Sequence, residues 1–261
     1  MAREDVAPLL LLHGGGADAG SWRPVVERLP SGWPVHALNL PGHGGEPGFA
    51  YDARIIQVTA RHVADRLPDL GLVRPHVVGH SMGGAVALEL AKVVPVAGVT
   101  ALCPIGFWTP PRAWVTAALL RNAARLSAMT DPKTRSLLMA EAPARRLVLT
   151  AFSARPSLIH PSAAAAAASA LSGSDIVAMT KYTWRYRFRG RVPVPVLLAW
   201  ATRDRLVPLS DADRARRLLP QAAHALLPGS GHLVVEDDPD LTAALVRDHA
   251  HRLPPADFTD A

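Results

Sequence analysis

Three residues far apart in the chain could together turn a hydroxyl into a nucleophile: Ser81, Asp204 and His232. Ser81 stands in Gly79-His-Ser-Met-Gly83, a G-x-S-x-G pentapeptide with a short apolar run before it and a helical pattern from Met82 to Val94 after it. A serine is a weak nucleophile at neutral pH unless a base takes its proton. A tight strand-to-helix turn would lift the hydroxyl out of a sheet end, onto the unpaired N–H groups that open a helix and favour negative charge. Glycine suits the flanking positions because a side chain there would collide with neighbouring backbone. A glycine-rich turn with an incidental serine would read the same, so the weight rests on the strand before the pentapeptide and the helix after it.

A base and an acid stand in matching positions. Among 11 histidines, His232 lies in PGSGHLVVEDDP, on a glycine loop directly after an expected strand. Asp204 lies in ATRDRLVP, directly after the preceding one. Their spacing of 28 residues leaves room for one helix and one strand. Both residues should therefore return to the sheet edge that carries Ser81, where ligand sites of open α/β sheets lie. Taken singly, His232 reads equally as a surface-loop histidine, and Asp204 as a local ion pair with Arg203 or Arg205. The segment LLLLHGGG supplies a further part. Its glycines let backbone approach a ligand closely, and acyl transfer needs N–H donors where an oxyanion forms, each worth about 3–4 kcal/mol. The expected donors are the N–H groups of Gly15 and of Met82, with Gly14 beside the substrate. His13 reads as a hydrogen-bonding turn residue.

These residues need a scaffold that gathers strand ends. Six apolar segments read as strands: APLLLLHGGG, WPVHALNLPG, PHVVGHS, VAGVTALCP, VPVPVLLAWATRD and AAHALLPGSGH. Continuous apolar runs are the mark of strands buried on both faces. Helical patterns lie at Trp22–Leu29, Ala53–Leu67, Met82–Val94 and Asp211–Leu219. The alternation predicts a parallel sheet with helices on both faces. It breaks at residues 107–191, where helices and loops are expected as an insertion over one sheet end, leaving a core of residues 1–106 and 192–261. Trp108, at the start of the insertion, is a candidate substrate contact. Ser210 is expected to cap one late helix with Asp213 as its partner, and Asp238 the next, with Pro239 at its first position. Ser162 is expected to cap an alanine-rich helix ending near Gly173.

With these motifs in order Ser…Asp…His, the sequence resembles the α/β-hydrolase superfamily over nearly its whole length. HGGGADAGSW is similar to the family's oxyanion segment, NLPGHGGEP to the loop after the next strand, and GHSMGG to its nucleophile elbow. The resemblance implies Ser81 as nucleophile, His232 as base, Asp204 as its orienter, and Gly15 with Met82 as oxyanion donors. It implies no cofactor and no metal. Asn39 stands where the family often has Asp, and neither Asn39 nor His43 is given a catalytic role. Only seven residues precede Pro8, so a six-stranded, all-parallel sheet is expected, with the Val35–Leu40 strand at an edge. Such an edge invites pairing, and monomer and homodimer both stay open. Serine at the elbow sets aside the family's dehalogenases and epoxide hydrolases, and Leu233 after the histidine sets aside its hydroxynitrile lyases. Expected is a cofactor-free serine hydrolase of carboxylic esters. The same triad acting on a thioester, a carbon–carbon bond or a perhydrolysis substrate remains open, as does a non-catalytic hydrolase-like receptor.

Composition removes other classes. No apolar run approaches the ~20 residues of a membrane span. The N-terminus carries acids where a signal peptide carries bases, which points to a cytoplasmic protein. One cysteine, Cys103, excludes an intramolecular disulfide and a cysteine-based zinc site. The net charge is +6, but no nucleic-acid recognition motif accompanies it. The charge is uneven. Residues 107–191 hold 13 basic and three acidic residues, and the rest of the chain 15 basic and 19 acidic. The densest run, KYTWRYRFRGR, offers Arg185, Arg187 and Arg189 as receivers of an anionic handle near the site mouth: a substrate carboxylate, a coenzyme A phosphate or an acidic carrier protein. A cap receiving a carrier would resemble that of the pimeloyl-carrier methyl ester esterases. A solvated helical face accounts for the same run.

Overall fold

The computed structural model describes residues 6–253. Six parallel strands run in the order β2-β1-β3-β4-β5-β6. They are β1 (Leu9–Leu12), β2 (Val35–Leu38), β3 (His76–His80), β4 (Gly98–Leu102), β5 (Val196–Ala201) and β6 (Ala223–Leu227). The four inner strands are buried at every position, while β2 and β6 are only partly covered, as edges are. Inner-strand side chains alternate between two cores. Leu10, Leu12, Val77, Val99 and Trp200 pack with α2 (Ile55–Arg66), α3 (Met82–Leu90) and α9 (Ser210–Leu218). Leu9, Leu11, Val78 and Ala201 face α1 (Arg23–Val26), α10 (Val234–Asp237) and α11 (Pro239–Ala250).

Between β4 and β5 the chain forms α4 (Pro110–Met129), α5 (Pro132–Ala140), α6 (Ala142–Leu149), α7 (Pro161–Ser172) and α8 (Ile176–Thr183). Ile176 and Met179 of α8 are buried with the α2–α3 core. The Tyr51 hydroxyl donates to Asp175 (2.7 Å), and the Asp175 N–H donates to the Gly42 carbonyl, which ties α8 to the loop after β2. No single helix among the described residues is long and apolar enough to cross a membrane.

Three local expectations change. The 22–29 helix shrinks to a 3-10 turn at Ala19–Trp22 and the four residues of α1. Ser210 is the first residue of α9 rather than its cap, because the turn starts earlier and the Asp211 N–H already bonds the Pro208 carbonyl. Asp213 pairs instead with Arg216. Ser162 lies inside α7: Pro161 takes the first position and the His160 ring accepts the Ser162 N–H. Asp238 does cap α11, accepting the Leu241 N–H with Pro239 at the first position.

Candidate active site

The sheet's order reverses between β1 and β3, since the chain passes from β1 outward to β2 and then returns to the other side of β1. Ligands of open α/β sheets bind at such a crevice. Here its two walls are the His13–Gly16 turn after β1 and the Ser81 turn after β3.

Ser81 has φ 54° and ψ −111°, in the left-handed region that side chains rarely adopt. The chain reverses there from β3 directly into α3, and the neighbouring glycines allow it. A Cβ on Gly79 would lie 2.2 Å from the Gly83 carbonyl oxygen, and one on Gly83 would lie 2.2 Å from the Leu12 carbonyl oxygen. Both obstacles are backbone of the central sheet and its first helical turn, which cannot step aside. Gly83→Ala is expected to lower stability by at least about 4 kcal/mol, at the upper end of single-residue effects. Urea unfolding checks it; a loss below 1 kcal/mol would mean that α3 shifts freely against β1.

The candidate base and acid arrive on the next loops. His232, after β6, brings Nε2 to 2.9 Å from the Ser81 Oγ. Its Nδ1 lies 2.7 Å from Asp204 Oδ2, after β5. The other Asp204 oxygen accepts the N–H groups of Leu206 and Val207, each at 2.8 Å. Burial pushes the Asp204 carboxyl up, but His232 and the N–H donors outweigh it and hold it below the usual range. An ionised Asp204 fixes the proton on His232 Nδ1 and leaves Nε2 to accept from serine. That is the arrangement that activates a serine hydroxyl. The alternative of a local ion pair between Asp204 and Arg203 or Arg205 does not occur among the described residues.

The glycine turn after β1 is braced by two neutral histidines. His13 donates from Nδ1 to the Gly14 carbonyl and accepts the Leu40 N–H at Nε2. His43 accepts the Gly16 N–H. Asn39 accepts the Ala19 N–H and donates to the Gly44 carbonyl, so it serves turn geometry. Gly14 passes so close that a Cβ there would be 3.4 Å from Ser81 Cβ and 2.9 Å from His80 Nδ1. Among the described residues the N–H groups of Gly15 and Met82 meet no protein acceptor. A Cβ on Gly15 would touch Ile176 and Leu120, and one on Gly16 would touch Leu171. Apolar side chains of α4, α7 and α8 thus stand against the turn, and Ser81 and His232 are only 8% and 6% exposed.

The remaining sequence candidates lie elsewhere. Trp108 is buried, its indole donating to the Tyr186 carbonyl. Arg185 is exposed over the Trp184 ring, and Arg187 is spent on the Trp184 and Tyr186 carbonyls. The Arg189 carbonyl accepts from Lys92, just past the far end of α3 from Ser81. A nine-residue helix puts that end roughly 13 Å from the elbow. From Tyr186 onward the run KYTWRYRFRGR is the chain's return to β5, with the Tyr186 hydroxyl on Glu89 and the Arg189 carbonyl on Lys92 at the far end of α3.

Three neighbours went unrecognised in the sequence. His80 Nε2 donates to the His232 carbonyl (2.8 Å), securing the loop that carries His232. Asp237 accepts from Gly231 N–H, Ala154 N–H and Ser153 Oγ, joining that loop to the chain after α6. Both look like ordinary polar residues until the loops meet. Cys103, with φ 46°, lies under the triad, its sulfur within 4.8 Å of donor atoms of Asp204 and His232. These could be read as metal ligands, but Asp204 and His232 already saturate each other.

Burial leaves several imidazoles neutral. The pKa values of His13, His76 and His80 fall to about 3, and that of His249 to about 4; burial is the leading cause in each, and nearby histidines or Arg252 add to it. His76 and His249 share the Thr100 hydroxyl, at 2.8 Å each. Between pH 6.5 and about 4 these four bind protons when unfolded and not when folded, so stability rises with pH there. Glu236, raised to about 7 by burial, acts oppositely, as does the raised Asp211. His43 and His224, also lowered by burial, act with the four. The lowered histidines outnumber the raised carboxyls, so acidification from pH 6.5 to 5 should lower stability. Urea midpoints across that range measure it, and a flat profile would show the histidines protonating in place.

The same architecture appears in known proteins. The family model described as "Alpha/beta hydrolase family" matches residues 9–245. The pimeloyl-[acyl-carrier protein] methyl ester esterase of Aromatoleum aromaticum is 29% identical, over 92% of this chain and 96% of that protein. The dihydrolipoyllysine-residue acetyltransferase component of the acetoin cleaving system of Cupriavidus necator is 39% identical over 101 residues. That match takes in 38% of this chain, and only about a quarter of that protein's length (27%) is spanned. Among solved structures, a thermophilic esterase from Thermogutta terrifontis superposes with a TM-score of 0.71 at 21% identity, over 94% of this chain and 90% of that one. That likeness speaks for the fold. The sequence match across nearly all of the sheet and both late loops speaks for descent, and the chain belongs to the alpha/beta hydrolase family.

Proposed function

We propose that the chain is a cofactor-free serine hydrolase that cleaves carboxylic esters through an acyl-enzyme on Ser81. The observation that carries this reading is the continuous hydrogen-bond chain from Ser81 through His232 to Asp204 at the mouth of the β1–β3 crevice. Ser81 Oγ attacks the ester carbonyl carbon while His232 Nε2 takes its proton. Asp204 holds the imidazole and stabilises the imidazolium. The Gly15 and Met82 N–H groups receive the oxyanion. Collapse of the tetrahedral adduct breaks the carbon–oxygen bond, and His232 returns the proton to the leaving alcohol. Water then repeats the sequence on the acyl-enzyme and frees the acid and Ser81.

Residues 107–191 act as a cap over this site. Their Leu120, Leu171 and Ile176 side chains favour an apolar acyl or alcohol group next to the reacting carbonyl. The cap's excess of ten positive charges supports an acidic carrier protein as the bearer of the ester, in keeping with the relative named for a carrier-bound methyl ester. Action on free small-molecule esters in the cytoplasm, as monomer or homodimer, is the simpler form of the same reading.

A fluorophosphonate probe should label Ser81 alone, and p-nitrophenyl esters should be turned over with kcat/KM rising from acetyl to medium acyl chains. Label on another residue would overturn the nucleophile. Label on Ser81 without turnover of esters, with turnover of thioesters or vinylogous diketones, would keep the triad and change the bond. Label with no turnover of any of them would favour a hydrolase-like receptor.

A further inference from the structure

Outside the triad, unpaired positive charge gathers around a surface pocket of about 360 Å³ at the seam between the end of α6 and the β5 loop. Four arginines line it: Arg146, Arg155, Arg203 and Arg205, with Thr150 and Ser157 beside them. No carboxylate lines it among the described residues. None of the four pairs with a carboxylate among the described residues. Ion pairs elsewhere engage Arg23, Arg28, Arg54, Arg66, Arg214, Arg216 and Arg247; what sets these four apart is that they line one concavity together.

Two of the four are held in place by backbone. Arg205 donates to the Thr150 carbonyl (2.8 Å), and Arg155 donates toward the Asp237 carbonyl (3.4 Å). Each reaches across the seam, one from the β5 loop to α6 and the other from the α6–α7 loop to α10. Arg146 and Arg203 make no side-chain hydrogen bond to the protein among the described residues, so both forks are free for a ligand. Four like charges around one concavity repel one another, and the field they focus is relieved by an anion. Guanidinium forks pair two oxygens at once, which matches phosphate better than a monovalent ion.

We propose that this pocket binds a multiply charged phosphate group, a phosphomonoester or a diphosphate, in contact with Arg146, Arg155, Arg203 and Arg205. The site is separate from the triad and does not depend on the reaction assigned to Ser81. A bound phosphate would clasp α6 and its following loop to the loops that carry Asp204 and His232, so ligand binding should resist separation of the cap from the core.

Calorimetric titration of the full chain with inorganic pyrophosphate at 150 mM NaCl tests the site, with inorganic sulfate and a phosphomonoester as parallel titrants. Saturable 1:1 binding is expected, tighter for pyrophosphate than for sulfate. The double variant R146Q/R203Q should weaken it at least tenfold, and it removes no protein hydrogen bond, so folding should not change. The control R125Q/R189Q removes the same charge from exposed positions outside the pocket and should change the affinity less than twofold. Pyrophosphate should also raise the thermal midpoint of the wild type and not that of R146Q/R203Q. No saturable binding up to 10 mM pyrophosphate, or equal weakening in both double variants, would overturn the proposal; the second result would make the effect one of overall charge. A fluorophosphonate label on each variant reads the triad independently, so loss of the anion site and loss of the serine are told apart.

Discussion

Ser81→Ala should abolish fluorophosphonate labelling and lower kcat for any ester substrate by on the order of 10⁵–10⁶. The residual rate over water would come from the oxyanion donors and binding alone. His232→Ala should fall nearly as far, because the hydroxyl is then unassisted: Nε2 at 2.9 Å is the base in contact with it. Combining the two should add almost nothing, since they act as one unit. Stability separates a chemical loss from a structural one. Ser81 makes its fold-defining contacts through backbone: its N–H bonds the Leu102 carbonyl at 2.8 Å, and its carbonyl accepts from Ala85 and Ile105. Ser81→Ala keeps these bonds, so its unfolding midpoint should stay near wild type. The reading fails if S81A retains more than a hundredth of wild-type kcat.

Asp204→Asn should lower kcat about 10⁴-fold with KM changing little. An asparagine amide can still reach His232 Nδ1, but it can present its NH₂ there and leave the imidazole in the wrong tautomer. It also loses the ionised acceptor now shared by the Leu206 and Val207 N–H groups. Asp211→Asn is the control. Asp211 is fully buried, bonds Arg214 and lies in the α9 first turn. Removing its charge leaves a partly buried guanidinium without its partner, costing about 3 kcal/mol of stability, while kcat stays within a few-fold of wild type. If D211N destroys kcat in a protein that remains folded and D204N does not, the acid has been misassigned.

The sheet and its order of chemical residues were legible because they depend on patterns local to each segment. Continuous apolar runs ending in glycine mark buried strands wherever they fold, and parallel connection then puts every strand's C-terminal end on one edge. Ser81, Asp204 and His232 could be placed together on that rule, with no contact known. The glycine-to-backbone clash at Gly79 was legible for the same reason, being set within one strand–turn–helix unit, whereas the obstacle at Gly83 is the Leu12 carbonyl of β1 and arises only when the strands pair.

What the sequence could not determine were features created by segments meeting. The arginines at 185, 187 and 189 form one run in the chain, yet folding carries that run past the core to the far end of α3, where Lys92 holds it. The four arginines of the anion pocket come from two separated segments, 146–155 and 203–205, and no pattern in the chain joins them. His80 and Asp237 brace the His232 loop only because their partners arrive 152 and six residues away. Two cap positions moved, from Ser210 to Leu209 and from Ser162 to His160, because a helix start is decided by which carbonyl its first N–H can reach. Local periodicity determines the elements and the edge on which their ends collect; the identity of a side chain's neighbours across that edge is fixed only when distant segments pack.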